Sequence, residues 1–115
     1  MKFKMAEKEG VVILSPKGRM MDGPDLDKMR EKIKELVRIG SRRMVIDLAK
    51  VPWAGSPGLG LLLEAKKILQ GVDGDLRLAR ITEKIEDLID ITRLTKEFKA
   101  CSSVSAAVKD FPSVN

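Results

Sequence analysis

Val51-Pro52-Trp53-Ala54-Gly55-Ser56-Pro57-Gly58-Leu59-Gly60, running on into Leu61-Leu62-Leu63-Glu64-Ala65-Lys66-Lys67, reads as the exit of a buried strand, a tight loop and the first turns of a helix. Ser56 stands where an N-cap is expected, its hydroxyl able to accept from an unpaired N–H of the first turn. Pro57 follows at the first helical position, where its fixed φ suits the helix. Gly55, Gly58 and Gly60 remove Cβ atoms around the serine and are expected to leave it open to approach. A serine so presented can serve as a plain cap, as an anion cradle or as a target for modification.

Working outward, Met44-Val45-Ile46-Asp47-Leu48 is a near-continuous apolar strand, the mark of burial on both faces. Before it, Leu26, Met29, Ile33, Leu36 and Val37 recur at helical spacing, opened by Asp22-Gly23-Pro24-Asp25 and closed by Gly40. Nearer the N-terminus, Lys8-Glu9-Gly10 is a turn between Lys2–Ala6 and the β-branched run Val11-Val12-Ile13-Leu14, which predicts a hairpin. Ser15-Pro16-Lys17-Gly18 is expected to interrupt or end that second strand.

Beyond the central stretch, a helix is expected to about Gln70, with Leu61, Leu62, Ala65, Ile68 and Leu69 on its core face. Leu76–Ala79 is a further strand, Thr82-Glu83 starts a short helix with Ile85, Leu88 and Ile89 inward, and Phe98–Cys101 is a last strand. Ser102 or Ser103 caps a final helix carrying Val104, Ala107, Val108 and Phe111. Strands alternating with helices imply a mostly parallel sheet, with the hairpin as its antiparallel pair. The expected fold is therefore a single α/β domain over residues 1–115 with about four helices.

The inventory narrows the chemistry. The chain of 115 residues contains no histidine and one cysteine, which removes histidine bases, histidine triads and thiolate metal clusters. No catalytic residue, metal ligand or cofactor is assigned. The net charge of +5 comes from 22 basic and 17 acidic residues, yet there is no Tyr and only one Trp. Stacking platforms for bases are thus nearly absent, and nucleic acid is not an expected partner. No apolar run approaches the roughly 20 residues needed to span a bilayer. With the lone Cys101 and no apolar leader, the expected location is cytoplasmic, without a membrane role. Gly55–Gly60 lacks the Lys-Ser/Thr of a phosphate-binding P-loop and misses the dinucleotide spacing.

From Val11 to about Phe111 the chain resembles STAS domains of the anti-sigma factor antagonist type, the anti-anti-sigma factors of bacteria. The likeness is carried by Met44–Leu48 followed by Val51–Leu63. There the family pattern runs hydrophobic strand, aromatic, small apolar residue, Asp-Ser-Ser/Thr-Gly-Leu-Gly and apolar helix. Gly18 before the first helix has a family counterpart too. The resemblance implies a STAS fold and a regulatory protein without enzymatic activity. Such a protein binds a kinase-fold anti-sigma factor, itself a serine kinase, and is released when the serine after the motif's aspartate is phosphorylated. Here that serine is Ser56. The chain departs from the pattern in having Gly55 for the aspartate and Pro57 for the second hydroxyl residue. Before the first helix the family tends to Gly-x-Leu-Asp, whereas here Gly18-Arg19-Met20-Met21 has Met at the acid's place and the acid one residue later, at Asp22.

The contact face is expected to centre on Trp53, Gly55, Ser56, Pro57, Gly58, Leu59 and Leu63, joined by the loop from Arg19 through Met21 and Asp22. The alternatives are a phosphorylation-independent STAS interaction module and, from another class, a small nucleotide-binding protein or enzyme. The oligomeric state is expected to be a monomer or weak homodimer.

Overall fold

The computed structural model describes residues 1–21 and 23–112, so expectations for Asp22 fall outside the described residues. The N-terminal hairpin joins β1 (Lys2–Lys8) to β2 (Val11–Lys17). Its two-residue turn has positive φ at both Glu9 (54°) and Gly10 (77°), the geometry whose twist matches that of paired strands. Helix α1 (Pro24–Arg38) leads to β3 (Arg43–Asp47), α2 (Ser56–Gln70) to β4 (Asp75–Ala79), and α3 (Glu83–Ile91) to β5 (Lys99–Cys101), with α4 (Val104–Lys109) last. The five strands stand in the order β1-β2-β3-β4-β5. Among the described residues, only the β1–β2 pair is antiparallel.

Strand alternation divides the apolar residues between two faces. Val12, Leu14, Met44, Ile46, Leu76 and Leu78 face a large core closed by α1, α2 and α3. Val11, Ile13, Val45 and Ala79 face a smaller one closed by Ala107, Val108 and Phe111. That explains the unbroken apolar run of β3, which is covered on both sides. Helix α1 buries Leu26, Met29, Ile33, Leu36 and Val37, the stripe its spacing predicts. Its end is a Schellman turn, with Gly40 at φ 113°, the Gly40 N–H donating to Val37 O and the Ser41 N–H to Leu36 O.

One boundary differs from the sequence expectation. β2 does not end at Ser15-Pro16 but continues to Lys17, held by full-length pairing with β1. Its parallel ladder with β3 covers only Val12–Leu14, so Pro16 sits where that ladder has already stopped and its missing N–H removes no bond to β3.

The C-terminal helix is short and is fastened electrostatically. Arg77 donates from Nε to Asp110 Oδ2 and from Nη1 to Asp75 Oδ2, both at 2.5 Å. Its guanidinium also lies 4.6 Å from the Phe111 ring centroid. Removing the pair with Asp110→Asn should lower stability by about 1 kcal/mol near neutrality, because the site is only partly buried and solvent screens it. The Arg77 guanidinium holds the Asp110 carboxyl below its ordinary value of 3.8. The folded form therefore binds that proton less readily than the unfolded chain. Its stabilisation is complete above the unfolded value and is lost as pH falls through the lower folded one. Urea titrations should show the parent and Asp110→Asn apart near neutrality and converging by about pH 2.

Candidate functional site

The loop after β3 is built by pairing it with the segment that follows β2. The Gly18 N–H donates to Lys50 O at 2.9 Å and the Met20 N–H to Trp53 O at 3.1 Å, while the Gly55 N–H returns to Met20 O at 3.1 Å. Buried Leu48, Val51 and Ala54 pin the loop to the core. From the far side, the Thr82 hydroxyl at the start of α3 donates to Val51 O at 2.8 Å. The backbone at the entrance of α2 is thus held from both sides.

The helix begins one residue earlier than its sequence predicts. Gly55 is the N-cap, in extended conformation with φ −91°, and its carbonyl accepts the first helical bond from the Leu59 N–H at 3.1 Å. Ser56 and Pro57 therefore occupy the first two helical positions, and no side chain caps the helix. The physical reason is that the Gly55 N–H is already engaged by Met20, which places its carbonyl at the start of the ladder. Pro57 is tolerated there because first-turn N–H groups have no intrahelical partner. Ser56 is exposed, its hydroxyl making no cap bond.

The three glycines have different surroundings. Gly60 is open, with nothing within 4 Å of the position a Cβ would take. At Gly55 that position lies 3.5 Å from the Trp53 ring, which folds back over the cap. Gly58 is buried instead of open, and a Cβ there would meet Met20 O at 2.5 Å and Met20 Cβ at 2.8 Å. Its absent side chain permits close packing of helix on loop and does nothing to expose the serine.

Of the residues assigned to the contact face, Trp53 and Met21 are exposed, at 39% and 46%. Ser56 and Pro57 are exposed as well, and Gly55 is half-buried. Leu59 is buried at 5% and belongs to the large core, against which Leu63, half-buried, also packs. Leu59 therefore adds no exposed surface to the patch, because the core side of α2 is wider than the stripe inferred from spacing. Met21 and Trp53 instead share a cleft of about 590 Å³ with Arg19, Pro52, Thr82, Glu83 and Lys84. The α3 contribution was missed. It comes from a segment about thirty residues away in the chain, and only the parallel strand order brings it alongside.

Asp47, the last residue of β3, is 7% exposed. Its carboxylate accepts from Arg80 Nε at 3.0 Å and Nη2 at 2.5 Å, and from the Ala49 N–H at 3.2 Å. It points toward the loop end of the central strand.

A hairpin-led parallel sheet, covered by three helices on one face and one on the other, with a glycine-bordered serine opening the central helix, defines a small α/β module. The chain belongs to the STAS domain family, whose profile matches residues 2–107. It is 26% identical over 111 residues, 96% of this chain and 95% of the other, to BtrV of Bordetella bronchiseptica, a protein described as a candidate anti-sigma factor antagonist. The fold is similar to that of an anti-sigma factor antagonist from Mycobacterium paratuberculosis, with TM-score 0.82, 23% identity and coverage of 94% and 91% of the two chains. It is also similar to the Bacillus cell fate determinant SpoIIAA in its phosphorylated form, with TM-score 0.74, 16% identity and coverage of 93% and 97%. Among the described residues, no helix is long and apolar enough to cross a membrane.

Proposed function

We propose that this protein is an anti-sigma factor antagonist that binds a kinase-fold anti-sigma factor through the face around Trp53, Met21 and the start of α2, and that phosphorylation of Ser56 breaks the contact. The observation that carries the proposal is Ser56 itself, exposed in the first turn of α2 with its hydroxyl outside any cap bond. Its modification would sacrifice no hydrogen bond of the fold. A phosphoryl group adds about −1.5 to −2 charge near neutrality. It would arrive at a helix N-terminus, where the dipole favours an anion and no acidic residue stands in the first turn. The domain keeps its fold while the fitted surface gains charge and bulk. A relative solved in phosphorylated form supports this reading.

Gly55 and Pro57 favour a second reading, a STAS interaction module that works without phosphorylation. The family's aspartate and second hydroxyl are missing from the loop that a kinase would have to accept. Incubating the protein with its cognate anti-sigma kinase and ATP, followed by mass spectrometry, separates the two. Phosphate on Ser56, and loss of co-purification with the anti-sigma factor, is the expected result. Binding that persists unchanged in ATP with Ser56 unmodified selects the second reading, and phosphate on another residue rejects the assignment of Ser56.

A further inference from the structure

The face of the sheet that carries α4 is only half covered. Helix α4 and Phe111 close over Val11, Ile13, Val45 and Ala79, leaving β1 and the end of β2 beyond them open. A groove of about 520 Å³ lies there, lined by Lys2, Lys4, Lys17, Lys50 and Arg80, with Asp47 as the sole lining carboxylate among the described residues. Asp47 is already engaged by Arg80 and by the Ala49 N–H. Lys4, Lys17 and Lys50 make no ion pair among the described residues.

Lysines on an edge strand ordinarily guard against strand pairing between molecules. That accounts for Lys2 and Lys4 on β1. It does not account for Lys17, Lys50 and Arg80, which come from the carboxyl ends of three inner strands and converge on the same groove.

We infer that this groove is a second docking surface, separate from the Ser56 face, and that its occupant is an extended acidic segment of a protein partner. Charge complementarity supports it, with four lysines set around one carboxylate that is already paired with Arg80. Spacing supports it too. Lys2 and Lys4 lie on one side of a strand about 6.7 Å apart, the repeat of alternate residues in an extended chain. Lys17 stands opposite Lys2 in the β1–β2 register. Glutamates at alternate positions of a bound strand would meet this row in step. The inference does not depend on whether Ser56 is modified.

The test is a two-dimensional amide NMR titration of the full chain, at physiological ionic strength, with a peptide of alternating glutamate and threonine. Saturable shifts at residues 2–6, 15, 17, 50 and 80 are expected, with affinity reduced at least about tenfold in Lys17→Glu/Lys50→Glu. Lys66→Glu/Lys67→Glu on α2 should leave it unchanged. If the first double variant fails to fold by circular dichroism, Lys17→Gln/Lys50→Gln replaces it and should weaken binding in the same direction. Shifts spread over all basic surfaces, equal losses in both double variants or no saturable binding would overturn the proposal. So would pyrophosphate saturating the same amides while the peptide does not, an outcome that marks a small-anion site.

Discussion

Replacing Gly58 with alanine should destabilise the protein by about 2 kcal/mol, while the same change two residues on, at Gly60, should stabilise it by about 0.5–1 kcal/mol. On helix propensity alone both changes would gain about 1 kcal/mol. The difference is local. The new methyl at position 58 would lie 2.5 Å from Met20 O, whereas at position 60 it would meet nothing within 4 Å. Met20 O cannot step aside freely, because it accepts the Gly55 N–H that sets the start of α2. Overpacking against a fixed backbone costs about 1–3 kcal/mol, with the upper part of that range expected for an atom that is tied down. In thermal unfolding, Gly58→Ala should melt about 8 °C lower and Gly60→Ala a few degrees higher. Equal behaviour of the two variants would show that helix and loop do not meet at Gly58. The same clash would tilt the turn that presents Ser56, so a fold-neutral probe of the serine should avoid position 58.

Trp53→Ala should cost about 2–3 kcal/mol in affinity for the proposed anti-sigma partner, a loss of roughly 30- to 150-fold, while lowering stability by less than about 1 kcal/mol. Aromatic side chains in partly formed clefts are frequent binding anchors. Trp53 is 39% exposed and lines a cleft with Met21 and the start of α3. Leu59→Ala supplies the contrast. That side chain is 5% exposed in the large core, so its removal should cost about 2–4 kcal/mol of stability. Calorimetric titration with the partner, paired with urea unfolding of each variant, reads both quantities. Parallel losses of affinity and stability in Trp53→Ala would make the indole a core filler and move the contact face elsewhere.

The elements of the fold were legible because each rests on short-range physics. The α1 stripe follows from helical spacing, its end from the left-handed conformation that Gly40 adopts at low cost, and the two-sided burial of β3 from an unbroken apolar run. What escaped the sequence depends on neighbours distant in the chain. Gly55 caps α2 because Met20, thirty-five positions earlier, has taken its N–H. Gly58 is needed for the same approach, and no local rule distinguishes it from Gly60. Asp47 finds Arg80 because β3 and β4 run in register, Asp47 opposite Ala79. Pro16 read as a strand terminator because a lone segment cannot show that its β3-facing ladder has already closed.

The strands lie side by side in the order in which they occur in the chain. No strand has to be threaded between two that are already seated. A chain emerging from the ribosome N-terminus first can set down its hairpin and then lay each helix–strand unit on the rim left by the one before. The last unit to emerge carries α4, whose Arg77 clasp engages a strand already in place. Assembly by successive addition thus needs no retreat, and synthesis and architecture proceed in the same direction.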